Sequence, residues 1–430
     1  MPKTIAKSKR GYAHFDVRTD IKKVREKITN PEWVSRHGFY PFIHYEKDCS
    51  KYNKSGKVPK KRDICYAAHI DRCIFQYYCH EMNLLYNHRI REMHIEDVPI
   101  AYRSDLGLSN IQLAKLAFSF IKENPDCYVM IGDFTGFFDN LDHSYLKRQW
   151  CRLLGVEQLP PDHYTIFKNI TKYSIWELND LLTMNGLPST KAGHKALNKQ
   201  YTVLTKEEFK KNRSCIHRHI ESKGIPQGLP ISALLANVYM MDVDQQVKSI
   251  VDKCSGKYMR YSDDFIIILP VEKEQAKTAL CDIIHIISST IGLELEQKKT
   301  QIFKANLPKV VNVGEQFLEK ADTSKNKINY LGFSFDGKCI SIRGKTASKY
   351  YYRMRRKARS IAADPEQRGK KYLYEQYSER GANGNRNRNG KRKGNFFSYV
   401  RRAEKVFGES DEIKRPFKNH MSKIARILKE

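Results

Sequence analysis

Two adjacent acids, Asp263 and Asp264, stand in the run Tyr261-Ser262-Asp263-Asp264-Phe265, between Lys257 to Tyr261 and Phe265 to Leu269, which both read as strands. Neighbouring carboxylates repel, so a fold that holds them in a tight turn beside an apolar sheet needs a compensating charge. A divalent cation supplies one. A solvated Asp-Asp hairpin turn has the same letters and needs no cation. Strand residues alternate, so only one of the pair points straight into a site, with Asp263 expected as the closer ligand and Asp264 the weaker. A third acid, Asp133, closes the apolar run Cys127-Tyr128-Val129-Met130-Ile131-Gly132-Asp133. An acid there is a common metal-ligand position and equally a common strand terminus. Asp139 and Asp142 read as turn or capping residues, Asp142 directly before a helix starting near His143.

A different chemistry is suggested by Gly224-Ile225-Pro226-Gln227-Gly228-Leu229-Pro230-Ile231-Ser232. Two prolines and two glycines around one glutamine describe a rigid loop that brings backbone and an amide close to a flat partner, or simply a structural loop. Upstream lies the basic, Gly/Pro-punctuated turn Lys54 to Arg62.

These residues need elements to hold them. Helical spacing of Ile64, Ala68, Ile74, Phe75, Tyr78, Met82 and Leu85 predicts one long amphipathic helix from Ile64 to Tyr86. Ser109 is the expected N-cap of a helix from Ile111 to Lys122. Further helices are expected over 232–248 and 275–291. A strand is expected from Ile328 to Phe335, entering a hairpin at Asp336-Gly337. Residues 160–222 are polar and irregular, with Gly186-Leu187-Pro188 marking a loop, and suggest no chemical role. Strands and helices in blocks predict an α+β fold.

The 430 residues carry a formal charge of +29, from 77 Lys and Arg against 48 Asp and Glu. That imbalance fits a polyanion, because every neutralised phosphate releases condensed counterions. About half the excess lies in residues 343–402, with 19 Lys or Arg against 4 Asp or Glu. Within it, Gly381 to Gly394 reads as flexible. Mean hydropathy is −0.62, and no apolar run approaches the roughly 20 residues of a spanning helix, which speaks against a membrane partner. Met1 to Arg10 is basic but lacks the apolar stretch of a signal peptide. The ten cysteines form no C-x-x-C pair, which fits reduced thiols in a cytoplasmic protein.

Taken in order, these motifs resemble the reverse transcriptases. Asp133-x-x-x-Phe-Phe-Asp139 resembles the first catalytic motif, Ile225-Pro-Gln-Gly228 with Ser232, Asn237 and Tyr239 the template and nucleotide loop, and Tyr261-Ser-Asp-Asp264 the Tyr-x-Asp-Asp signature. Gly292-Leu-Glu-Leu-x-x-x-Lys299-Thr300 resembles the motif that follows, and Tyr330-Leu-Gly-Phe333 the primer grip. Arg62-x-Ile64-x-x-Ala67 with Asp71-Arg72, and Ala101-Tyr-Arg103 with Ser109-Asn110, resemble the fingers segments. The likeness covers about residues 55–340.

The resemblance implies a right-hand polymerase: an extension over 1–55, fingers and palm over 56–340, and a basic α-helical thumb and tail over 341–430. It implies two Mg²⁺ ions, with Mn²⁺ able to substitute, held by Asp133, Asp263 and Asp264 with Phe134 beside them. Lys60, Lys61 and Arg62 would grip the triphosphate, Arg62 foremost for its planar fork, and Gln227 would contact the incoming nucleotide. Lys299 would protonate pyrophosphate. Phe138 sits where a bulky side chain clashes with a ribose 2′-hydroxyl, so dNTPs are the expected substrates. Tyr261, Leu331, Gly332, Arg353, Arg355 and Arg356 would touch nucleic acid. The chain lacks the maturase, endonuclease and RNase H patterns of other groups. It most resembles the bacterial Abi and unknown-group enzymes that defend against phage, type 2 in particular, which copies a noncoding RNA into cDNA. A retron or group II intron enzyme is the alternative job, and a catalytically silent RNA-binding scaffold the alternative without chemistry. Primer, template identity and oligomeric state are not readable.

Overall fold

A computed structural model describes residues 11–53, 56–364, 366, 368–386, 392–408 and 411–429. Met1 to Arg10, Lys54 and Ser55 of the basic turn, and residues 387–391 of the stretch read as flexible lie outside the described residues. The chain divides into two compact units, one made of residues 1–102, 134–246 and 285–294, the other of 103–133, 247–284 and 295–430.

The first unit carries a four-stranded sheet in the order Lys61–Tyr66, Phe42–Asp48, Ser174–Glu177, His217–Arg218. The expected helix from Ile64 is corrected here. Ile64 and Cys65 belong to a strand paired with Phe42–Asp48, and the helix runs from His69 to Glu92. Its start is fixed from far away: Asp16 accepts from the backbone N–H groups of His69 (2.9 Å) and Ile70 (2.8 Å). That cap satisfies donors a helix start leaves open, and nothing local in the sequence announces it. The segment 160–222, unassigned from sequence, is folded, with helices Pro161–Thr171, Leu178–Met184, Lys191–Leu197 and Lys206–Lys211.

The second unit is built on a five-stranded antiparallel sheet in the order Lys309–Asn312, Gln301–Asn306, Asp126–Asp133, Asp264–Leu269, Lys257–Tyr261. Phe265 to Leu269 are all buried, as are Cys127 to Met130, so these strands read as continuous apolar runs because both faces are covered. Gly132 stands opposite Phe265, and a Cβ there would lie 2.1 Å from the ring. Ser109 caps the helix Asn110–Glu123 in a reciprocal capping box with Gln112. The strand expected over 328–335 is instead two, Ile328–Tyr330 and Phe333–Phe335. Leu331 (φ 44°) and Gly332 (φ 93°) both take left-handed backbone, which turns the chain back two residues after Asn329 and forms a three-stranded meander with Ile340–Ile342.

Two further boundaries move. The helix expected over 232–248 is broken at Met240 into Ser232–Tyr239 and Met241–Lys253, and that expected over 275–291 spans Lys273–Ser289. Beyond residue 343, Gly344–Ala362 buries Ala347, Tyr350, Met354, Ala358 and Ile361 at helical spacing, leaving its arginines outside. Met354 and Ile361 pack with Leu373, Ile424 and Ile427 in a separate apolar cluster. The fold is mixed α+β, as expected. Among the described residues no helix is long and apolar enough to cross a membrane.

Candidate active site

The antiparallel register brings the three acids to one end of the central sheet. Asp133 ends its strand directly across from Asp264, and Asp264 is in turn paired with Tyr261 on the other side. Paired residues on neighbouring strands lie about 4.5–5.5 Å apart at Cα, so the carboxylates of Asp133 and Asp264, 131 residues apart in sequence, become neighbours. Ser262 makes the turn possible by adopting φ 62°, a region that costs a non-glycine residue free energy. Beneath it lies Arg260, fully buried, whose Nη1 donates to the Ser262 carbonyl at 3.1 Å. Sequence reading missed Arg260. Its only signal was an arginine at a position flanked by residues of a buried strand.

Crowding is visible in the electrostatics. Asp264 reaches solvent at its own surface, yet the surrounding protein thins the water about it. This desolvation, with the negative charges of Asp263 and Asp133, pushes its carboxyl up to about 6, against the opposing pull of Arg343 and Lys299. Lys299 answers part of that charge: its Nζ donates to Asp133 Oδ2 at 2.6 Å and stands 3.6 Å from Glu296. Burial works against the ammonium, but the bond to Asp133 and the neighbouring Glu296 carry its pKa above that of an ordinary lysine. Among the described residues, no three His, Cys, Asp or Glu side chains are already gathered as a metal-binding group, and Asp133 is turned toward Lys299 instead. Phe134 is buried with its ring stacked on Phe137, so only its backbone carbonyl could serve a cation.

Of the residues expected to handle nucleotide, Lys60, Arg62, Phe138 and Gln227 belong to the first unit and Lys299 to the second. Cys65 donates its N–H to the Gln227 carbonyl at 2.9 Å, tying the glutamine loop to the strand that carries Arg62. Gly228 (φ 112°) closes that junction, since a Cβ there would meet the Cys65 carbonyl at 2.5 Å. Gln227 Nε2 points to Asp139 Oδ1 at 3.4 Å. Burial raises the Asp139 carboxyl, opposed by that amide. The sequence reading of Asp139 as a mere turn residue missed this partnership. Phe138 is half-buried, edge-on to Phe137, and its carbonyl accepts from Ile225 N–H at 2.9 Å. Lys60 and Arg62 are exposed and hold no ion pair with a described residue, whereas Lys61 is bonded to Glu46.

In the second unit, the Leu331-Gly332 turn is held by Asn110 Nδ2, which donates to the Leu331 carbonyl at 3.1 Å, and by Arg343 N–H, which donates to the Gly332 carbonyl at 3.0 Å. Tyr261 is half-buried beside Asp264. Arg353, Arg355 and Arg356 are exposed on the helix Gly344–Ala362. A groove of about 600 Å³ runs along it, lined by Tyr351, Tyr352, Arg355, Arg356 and Arg359, with Arg355 over the Tyr351 ring and Arg356 over Tyr352.

No curated protein matches this sequence. Among solved structures it is similar to the apo telomerase from Candida tropicalis truncated from its C-terminal domain, with 14% identity over 75% of this chain and 58% of that one (TM-score 0.43). It is also similar to the telomerase from Candida albicans in complex with a TWJ fragment of telomeric RNA, with 14% identity over 94% and 61% (TM-score 0.40). The chain thus spans about three fifths of the telomerases it matches, at a likeness too distant to bear on function. Residues 58–335 match the reverse transcriptase (RNA-dependent DNA polymerase) family, and that span holds all three acids, Lys299 and the Gln227 loop. The chain belongs to the reverse transcriptase (RNA-dependent DNA polymerase) family.

Proposed function

We propose that this reverse transcriptase copies a partner noncoding RNA into cDNA, in bacterial defence against phage, using Asp133, Asp263 and Asp264 as its catalytic acids. The observation that carries the catalytic part is the register of Asp133 against Asp264, one residue from Asp263, inside the family-matched segment. The donor set fits Mg²⁺: it is all oxygen, crowded enough to hold Asp264 near pH 6 without a cation, and open to water. Asp133, Asp263 and Asp264 would hold the two ions, with the Phe134 carbonyl beside them, and the ions supply charge that offsets the triphosphate.

The chain's own groups account for the remaining work. Arg62 and Lys60, exposed and without an ion pair to a described residue, grip phosphate oxygens, and Gln227, anchored through its carbonyl by Cys65, meets the nucleotide with its amide. The Phe138 ring fills the space of a 2′-hydroxyl and selects dNTPs. Lys299, kept protonated, delivers a proton to the leaving pyrophosphate. Tyr261, Leu331 and Gly332 steady the primer end. The defence role is supported by the motif pattern of the chain, with Ser262 in the signature and a basic C-terminal region.

The test is extension of a DNA primer on an RNA template with dNTPs and Mg²⁺. The parent chain extends it, and Asp133→Asn and Asp263→Asn each lower the rate by about a thousandfold or more, equivalent to several kcal/mol of lost charge stabilisation. Full extension by Asp263→Asn would sink the assignment. Phage plating on cells carrying the chain with its neighbouring DNA tests the defence role: plaque counts fall with the parent and recover with Asp263→Asn.

A further inference from the structure

Residues 186–223 hold nine Lys or Arg and three Asp or Glu, and none of the chemistry above uses them. The segment is not a loose loop. Phe209 packs against Phe15 (5.0 Å) and Trp176 (5.5 Å), and Leu197, Val203 and Leu204 join the same apolar cluster as Ile43 of the sheet. Val203 N–H donates to the His14 carbonyl at 2.9 Å, and the Arg18 guanidinium holds the Asn198 and Gln200 carbonyls. The helix Lys191–Leu197 lies so close to Pro188 that a Cβ on Gly193 would meet its carbonyl at 1.9 Å.

With Leu197 and Phe209 turned inward, the cations face out. Lys191 and Lys195 are four residues apart on one helix, and Lys206 and Lys210 four apart on the next, so each pair lies on one face roughly 6 Å apart. Lys211 and Arg213 follow. All six are exposed, and none is within ion-pair distance of a described acid. Glu208 is already used, closing a capping box with Thr205. Tyr201, in the link between the two helices, is 71% exposed.

Cations that repel one another and have no acid partner among the described residues gain most from a phosphate chain, whose condensed counterions they displace into bulk solution on binding. A planar exposed ring adds a place for an unpaired base to stack. We propose that residues 186–223 form a second RNA-binding surface, a platform for the phosphate backbone of a folded RNA. RNA is chosen because the chain belongs to a family that reads RNA, and the proposal rests on that reading.

Fluorescence anisotropy of a labelled RNA hairpin with an unpaired loop, titrated with the full chain from 50 to 300 mM KCl, tests it. Changing Lys191, Lys195, Lys206 and Lys210 together to Glu should weaken binding at least about tenfold, and lower the log-affinity against log-salt slope by about 3. The same four changed to Gln, which keep helix propensity, lower the slope alike and guard against loss of fold. Oligo(dT) extension on poly(rA) should be unchanged in both. Unaltered affinity and slope in variants that still extend would overturn the platform. Failure of the parent chain to extend at all would overturn the polymerase reading instead.

Discussion

Asp264 is the residue whose chemistry can be read without any substrate. Its carboxyl is raised to about 6 in the folded chain from an ordinary value of 3.8, first by desolvation and then by Asp263 and Asp133. The folded state therefore binds this proton more tightly than the unfolded chain does. The resulting stabilisation is full below about pH 4 and is lost as pH rises through 6. With chelator present, Asp264→Asn, which cannot ionise, should melt higher than the parent at pH 8 and level with it near pH 4. A gap of the same size at both pH values would refute the crowding. Phe138 offers a second test. Replacing it by Ala opens room for a hydroxyl, so discrimination against NTPs should fall by about 10- to 100-fold in single-turnover incorporation, with dNTP use retained. Unchanged discrimination would move the gate elsewhere. The placement of the acids was legible from sequence, since Asp133 closes an apolar run and Asp263 and Asp264 stand in a turn between two strands. Arg260 and the Asp139–Gln227 contact were not, because both depend on what the fold puts beneath or across from them.

At the scale of elements, local signals survived and remote ones did not. The Ser109 capping box and the Asp142 cap, which accepts from Tyr145 N–H at 2.7 Å, are made by residues three apart, so the sequence carries them. The start of the His69 helix depends on Asp16, 53 residues upstream, and the periodicity of Ile64 and Ala68 ran straight across it. Likewise the run 328–335 reads as a single strand, and only the backbone at Leu331 and Gly332 shows where it turns. The central sheet makes its own prediction. Gly132 precedes Asp133, proposed above as a catalytic acid, and leaves room for Phe265, so Gly132→Ala should cost roughly 1–3 kcal/mol by overpacking and displace the Asp133 carboxylate, lowering extension as well as melting temperature. Adding Phe265→Leu should restore part of both, since residues in contact couple. Strictly additive losses would mean the two side chains do not compete for that space.

For the whole molecule the deciding quantity is charge. A net +29 was plain in the composition and pointed to a polyanion, but composition could not say which cations are free to bind one. The fold sorts them. Lys61, Lys248 and Lys304 are spent on acids, whereas Arg353, Arg355 and Arg356 form no ion pair with a described acid and Arg355 and Arg356 lie over tyrosine rings, on a helix whose other side is buried. A contact to phosphate lowers the salt dependence when it is removed, whatever the base sequence, whereas a contact to a base edge changes preference between sequences. Arg355 and Arg356 line a groove of about 600 Å³ together with Tyr351 and Tyr352, a combination of cations and rings that suits backbone and ribose rather than base edges. Changing both to Gln should therefore lower the salt slope of primer–template binding by about 1.5 to 2, equally for two templates of unrelated sequence. If the loss instead falls on one template and leaves the slope in place, these arginines read bases, and the polyanion argument from net charge would not apply to this helix.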